Sequence, residues 1–290
     1  MELFSLHGNT YKLDGGAMFG NAPKALWERW IQADSQNRIR LATRPLLART
    51  RSETILFEAG IGVYMEPKYR ERYGVDEPGH CLLQSLEERG VSPLQINRIF
   101  LSHLHFDHAG GLLSAWQEGR EPELLFPNAK YYVSDQAWER SVHPHVRDRA
   151  SFIPLLNQKL EASGRLVKLR DCAVFSIDDL QIQMIRSDGH TPGMTCFDLR
   201  YGNDRMVYVS DLIPGRFWLH PPIAMGYDRD PELLVDEKMK LLPSLAHDSA
   251  WIFYVHDPDY AVSRVKFDEE HRTYVSTDLQ RDWTFRMDRS

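Results

Sequence analysis

The chain has 290 residues, 42% of them hydrophobic and 26% charged, with a formal net charge of -6, a globular composition with apolar mass enough for a sizeable core. Charges of both signs are interspersed, so nothing calls for a polyanionic partner and no nucleic-acid role is expected. Residues 1–11 lack a basic start followed by an apolar run, and no window approaches the roughly 18 apolar residues of a membrane span, so no membrane association and a soluble, cytoplasmic protein are expected.

No internal repeat, low-complexity tract or Ser/Gly-rich linker interrupts the chain, and residues 1–290 read as a single domain. Residues 3–6 and 11–13 are short strand candidates broken by His7, Gly8 and Asn9. Residues 14–20 follow as DGGAMFG. Three glycines around Met18 and Phe19 describe either a mobile loop with an apolar tip, a lid over a pocket, or a loop whose two apolar side chains plug the core. Trp27 and Trp30, at i,i+3 within residues 25–31, mark helix packing. Residues 40–50 and 54–57 read as a strand pair turning at Arg51, Ser52 and Glu53, after which Glu58 and Gly60 lead into a flexible turn. Residues 82–89 have helical spacing and a Gly90 stop.

Residues 96–101 form a compact apolar strand, and it delivers His103, His105, Asp107 and His108 (HxHxDH). Three imidazoles and a carboxylate within six residues are hard to explain by packing, because each imidazole that leaves water must be hydrogen-bonded, charged or coordinated. Metal is the economical answer. His103 and His105 alternate as side chains leaving a strand do, while Asp107 and His108 sit in the turn beyond, so the cluster reads as ligands for two cations. Gly110 and Gly111 permit close backbone approach before a short helix with Leu112, Leu113 and Trp116.

Further strands are expected over residues 130–133, 166–169 and 180–186, with a helix opening at Asp135. His143 and His145 flank Pro144 and read as an exposed loop. Residues 194–200 and 205–209 pair across a hairpin turn at residues 201–204 that runs into Ser210 and Asp211. Asp230 and Pro231 open a helix whose apolar face is Leu234, Val235, Met239 and Leu242. Residues 251–255 form a last buried strand ending at His256, with weaker strands over 262–267 and 272–276. Cys81, Cys172 and Cys196 are widely spaced with no CxxC and read as buried reduced thiols.

Apolar strands thus end repeatedly in a metal-competent residue: before His103, His190, Asp211 and His256. Four such endings argue for one shared site at the edge of a sheet. HxHxDH, then DGHTPG with His190, SD with Asp211 and YVH with His256 resemble the metallo-β-lactamase superfamily over essentially the whole chain. The resemblance implies an α/β fold, the αββα sandwich. It assigns His103, His105 and His190 to one metal and Asp107, His108 and His256 to the other, with Asp211 bridging. Family β-lactamases usually carry Cys where Asp211 stands, so antibiotic hydrolysis is not expected. DGGAMFG, residues 225–228 followed by Pro231, and residues 253–257 are similar to the quorum-quenching N-acyl-homoserine-lactone lactonases. Two positions depart from that branch: Pro214 stands where its catalytic Tyr would be, and Glu58 replaces the Asp of a family DxG turn.

The resemblance therefore implies two divalent ions, zinc first, with manganese, iron or cobalt also suited to His and carboxylate donors. With Asp107, Asp211 and a bridging hydroxide such a site carries about +1 charge. The expected reaction is hydroxide attack on a lactone or ester carbonyl, with Asp107 shuttling a proton to the leaving alkoxide. Met18, Phe19, Phe106, Phe217 and Trp218 are the expected apolar wall for an acyl chain, and His220 or Tyr227 the stand-in for the missing Tyr. The partner is a small ester or lactone, and a homodimer is implied. Alternatives on the same scaffold are a thioester hydrolase of the glyoxalase II kind or a phosphotriester or phosphodiester hydrolase; a diiron oxidoreductase and an inert metal-binding protein are the remaining readings.

Overall fold

Alternating side chains along the strands sort the core into layers. In the computed structural model, which describes residues 1–170 and 173–286, Leu46, Ala48, Ile55 and Phe57 join Ile182, Phe197, Leu199 and Phe253 in one buried cluster between two sheets. Their neighbours Leu47, Leu56 and Ile99 face the other way, into a cluster with Leu82, Leu86, Trp138 and Leu156 from helices Cys81–Glu88, Asp135–Val142 and Pro154–Ala162. Val207 and Ile252 of the second sheet likewise meet Leu234, Leu242 and Leu245 of helix Pro231–His247. The layers are helix, sheet, sheet and helix, as expected.

The first sheet runs in the order Thr284–Arg286, Glu2–Ser5, Leu46–Arg49, Thr54–Phe57, Arg98–Phe100, Lys130–Ser134 and Leu166–Leu169. The second runs Thr273–Gln280, Val262–Asp268, Trp251–Phe253, Asp204–Tyr208, Met194–Tyr201, Leu180–Ser187 and Val174–Ile177. The expected strand over residues 40–50 is two strands: Arg38–Leu41 pairs with Tyr11–Asp14 in a small separate sheet, and Leu46–Arg49 pairs with Thr54–Phe57. The helix expected after Gly111 is a single 3-10 turn, Gly110–Leu112. Cys196 is buried and Cys81 half-buried, both free thiols, while Cys172 lies outside the described residues. No helix among the described residues is long and apolar enough to cross a membrane.

Residues 14–20 are neither mobile loop nor lid. Asp14 caps a short helix, Gly15–Phe19, by accepting from the Ala17 amide at 2.8 Å. Met18 is 1% and Phe19 0% exposed. The Phe19 ring stacks between Trp27 and Trp218, at 5.5 and 4.6 Å between centroids. Phe19→Ala is therefore expected to cost roughly 3–5 kcal/mol of stability by opening a cavity, read by chemical denaturation; a loss below about 1 kcal/mol would contradict the packing role.

The long helix rotates its apolar face away from the expected register. Met239 is 48% exposed, whereas Lys238 is buried with Leu234, Leu241, Leu242 and Leu245. Lys238 Nζ donates to the carbonyls of Trp218 and Ile223, at 2.9 and 2.6 Å, and so pins the intervening turn to the helix. Burial pushes this ammonium from its ordinary 10.5 down to about 7, against the raising pull of Asp228. Below about pH 7 folded and unfolded chains both carry the proton; between there and 10.5 the unfolded chain holds the extra one, so stability rises with pH across that window. Melting curves from pH 7 to 10 should show this slope, and Lys238→Met should flatten it.

Candidate metal centre

The ligand-bearing loops leave the same end of both sheets rather than the edge of one. Phe100 ends a strand of the first sheet before His103, while Ser187, Tyr208 and Phe253 end strands of the second before His190, Asp211 and His256. His105 caps a short helix, Phe106–Ala109, that presents Asp107 and His108. This turn is held down by close packing: a Cβ on Gly111 would lie 2.0 Å from the Ala59 carbonyl oxygen, so no larger residue fits.

All seven expected ligands are buried and converge. Donor atoms of His103, His105 and His190, of His103, His108 and Asp211, and of Asp107, His108 and His256 lie within 4.8 Å of one another in each group. His143 and His145 belong to none of these groups, as expected for a loop. Asp211 spans the two halves: Oδ2 is 3.2 Å from His190 Nε2, and Oδ1 is 3.2 Å from Nε2 of both His108 and His256. His105 Nδ1 and His190 Nε2 are 3.2 Å apart, and the Nε2 atoms of His108 and His256 are 3.1 Å apart. A tetrahedral shell with bonds of about 2.1 Å has edges of roughly 3.4 Å, so these spacings fit cations between the donors. Facing imidazole lone pairs without a cation or proton between them repel.

Four of the five rings, those of His103, His108, His190 and His256, are oriented from behind. His103 Nδ1 is 2.8 Å from Ser102 Oγ, which also accepts from Ser210 Oγ at 2.8 Å. His190 Nδ1 is 2.8 Å from Asp228 Oδ1, and His256 Nδ1 is 2.8 Å from the Ala42 carbonyl. Glu58 Oε2 faces His108 Nδ1 at 3.3 Å, while Oε1 accepts from the Ser102 amide at 2.5 Å. With Nδ1 occupied, Nε2 is left for the centre, the arrangement by which outer partners fix the tautomer of a ligating imidazole. Glu58 performs this task from a left-handed backbone, φ 63°, a conformation that carries strain for a residue with a side chain.

Burial, reinforced by neighbouring imidazoles, pushes His103 and His105 well below the usual histidine range and keeps their lone pairs free. At His108 and His190 burial opposes charge, but Asp211 with Asp107, and Asp211 with Asp228, outweigh it and raise both. Asp211 itself is held well below the carboxylate range, burial being overcome by His108, His256 and His190. A cation entering here displaces protons.

A model of the metallo-β-lactamase superfamily matches residues 42–256. The chain belongs to this superfamily. Its members are metal-dependent hydrolases. This superfamily chain is 25% identical over 205 residues to an acyl-coenzyme A thioesterase of Gallus gallus, covering 67% of the chain and 66% of the relative. It is 24% identical over 180 residues to an N-acyl homoserine lactonase of Bacillus thuringiensis, covering 61% and 62%. It thus spans about two-thirds or less of the length of these curated relatives. The solved structure of a probable metal-dependent hydrolase from Staphylococcus aureus superposes with a TM-score of 0.82 at 28% identity, covering 95% of this chain and 96% of that one.

Beside the superfamily ligands lies a cavity of about 370 Å³, within the range of small-molecule sites. Met18 and Phe106 of the expected apolar wall border it, as does Tyr227, an expected stand-in for the missing Tyr, together with Tyr11, Leu13 and Tyr73. Phe19, Phe217, Trp218 and His220 do not. Trp218 is buried with Nε1 donating to the Met18 carbonyl at 2.8 Å, Phe217 stacks on Trp30 at 5.8 Å, and His220 is turned to Thr273 Oγ1 at 2.9 Å. Phe19, Phe217 and Trp218 pack together next to Met18 rather than lining the cavity. His220 is thereby removed as a stand-in for the missing Tyr; Pro214 accepts from the His256 amide through its carbonyl at 2.8 Å.

A different phenol reaches the centre. Tyr11 Oη donates to Asp107 Oδ2 at 2.5 Å. Burial, then Asp107 and Asp211, raise its pKa well above the ordinary tyrosine value, so it remains a neutral donor. Nothing local marks it: 96 residues separate the partners. Asp228 stood in a recognised motif, but its hold on His190 is a tertiary contact.

Proposed function

We propose that this chain is a two-metal hydrolase opening the lactone or ester of an acylated small molecule, of the N-acyl-homoserine-lactone type, with residues 1–290 acting as one domain. The observation that carries the two-metal reading is Asp211, whose two oxygens face separate histidine groups. Bound cations, with zinc suited to these donors, supply Lewis acidity and a water-derived nucleophile near neutral pH. The chain's own residues do the rest. Phe106, Leu13, Met18 and Tyr73 give the cavity an apolar wall that receives an acyl group and excludes water. Asp107, oriented by the Tyr11 hydroxyl, carries a proton to the departing alkoxide. Tyr227, 40% exposed and bordering the cavity, contacts substrate as it enters in this reading.

The names of the Bacillus thuringiensis and Gallus gallus relatives support acyl substrates and make a thioester the second reading. Arg147 and Arg229, which border the cavity, favour that second reading where a leaving group is anionic. Purified protein, analysed for metal and screened against acyl-homoserine lactones, simple lactones, S-lactoylglutathione, paraoxon and bis(p-nitrophenyl) phosphate, should turn over the acylated lactones fastest. Inert lactones beside efficient turnover of another class would overturn the lactone assignment.

A further inference from the structure

Two arginines, Arg147 and Arg229, border the metal-centre cavity, and the centre itself has no use for either. The Arg229 amide donates to the carbonyls of Gly189 and His190, at 2.9 and 3.1 Å, which ties its backbone to a ligand loop. Its side chain stays 19% exposed. Among the described residues the guanidinium makes no hydrogen bond, and its one ion-pair contact is Asp148 Oδ2, 3.9 Å from Nε. The unpaired Arg229 donors are open to solvent. Arg147 is exposed; its Nη2 donates to the Gly226 carbonyl at 2.9 Å, and Nε and Nη1 have no partner among the described residues.

The nearby acids are committed elsewhere. Asp148 Oδ2 already accepts from Arg140 Nε and Nη2, at 2.9 and 2.7 Å. Asp228 is turned to His190, and Asp230 caps the long helix. Arg140, Arg147 and Arg229 therefore share one carboxylate, that of Asp148, and positive charge is left over beside the cavity. A guanidinium fork matches the two oxygens of a carboxylate, so that group is the natural complement of the free donors.

We propose that Arg229, with Arg147, forms a subsite for a carboxylate carried by the leaving portion of the substrate. In the reading above, Leu13, Met18, Tyr73 and Phe106 receive the acyl group from other segments of the chain, which leaves the two arginines to the alcohol or thiol side. The proposal rests on the hydrolase reading and deepens it: the preferred substrates are acyl compounds whose leaving portion is anionic. Charge-assisted hydrogen bonds to the carboxylate hold that portion while the acyl bond is broken.

The test uses two isosteric pairs, each a carboxylate and its carboxamide: γ-butyrolactone substituted on the carbon that bears the ring oxygen, and the hexanoyl thioester of N-acetylcysteine. For both members, kcat/KM is measured in wild-type, Arg229→Gln and Arg147→Gln protein, with metal content on each sample, and the pair turned over faster decides. Intrinsic reactivity differs between carboxylate and carboxamide, but it cancels when their ratio is compared between proteins. The ratio of carboxylate to carboxamide should fall about tenfold in Arg229→Gln, the loss of one charge-assisted contact, and by a smaller factor in Arg147→Gln, with the change in KM. An unchanged ratio in either variant, equal loss on both members, or a loss that follows metal content overturns the assignment. Arg147 is exposed, so its variant decides even where Arg229→Gln folds poorly. Inert lactones with active thioesters and a falling ratio sink the lactone reading and support the subsite; active lactones with an unchanged ratio do the reverse. Turnover of neither pair overturns both.

Discussion

Asp211→Asn should lower kcat/KM by on the order of 10³ and reduce bound metal from two ions to one or none per chain. The carboxylate offers one oxygen to His190 and the other to His108 and His256, each at 3.2 Å. Asn offers one oxygen and one NH2, and the NH2 cannot ligate. The substitution also removes a negative charge from a centre that gathers five buried imidazoles, so a second cation meets less opposing charge. Elemental analysis of the purified variant separates the two effects: one retained metal with lost activity is the expected result. Two metals retained with activity within tenfold of wild type would show that Asp211 does not bridge.

Tyr11→Phe should lower kcat by roughly 10–100-fold while both metals remain bound and KM changes little. The hydroxyl touches Asp107 Oδ2 at 2.5 Å and lies 3.5 Å from His256 Nδ1, so its loss frees the carboxylate proposed to carry the proton without removing a proposed ligand. The phenyl ring keeps its packing, edge-on to Phe106 at 6.4 Å between centroids. A variant with unchanged kcat would make Tyr11 a packing residue alone, and one that loses metal would make it part of the ligand scaffold. Pre-steady-state turnover with metal content measured on the same sample distinguishes these outcomes.

The parts of the fold legible from residue order were those encoded over short distances. Strand alternation over residues 180–186, the hairpin turn at residues 201–204 and the Asp230 cap each arise within a few residues, and each has its counterpart in Leu180–Ser187, the pairing of Met194–Tyr201 with Asp204–Tyr208, and helix Pro231–His247 capped by Asp230 Oδ1. Burial was less legible. Met18 and Phe19 between glycines fit a lid as well as a core plug, and the choice was made by Trp27 and Trp218, one of them distant in sequence. In the long helix, the stripes through Val235 and Met239 and through Leu234 and Lys238 are adjacent. A lysine enters the core because two carbonyls of a separate turn satisfy its ammonium.

Residue order by itself determined the donor set, because HxHxDH concentrates ligands in six residues and the remaining ones end strands, where the backbone leaves the sheet and side chains converge on one end of the sandwich. The tertiary structure decided which groups orient and complete that set: Tyr11 on Asp107, Asp228 on His190 and Glu58 behind His108. Each is a single polar residue with no local periodicity. Its role comes from a hydrogen bond or close contact across tens of residues, and only the packing of the two sheets brings such groups within reach.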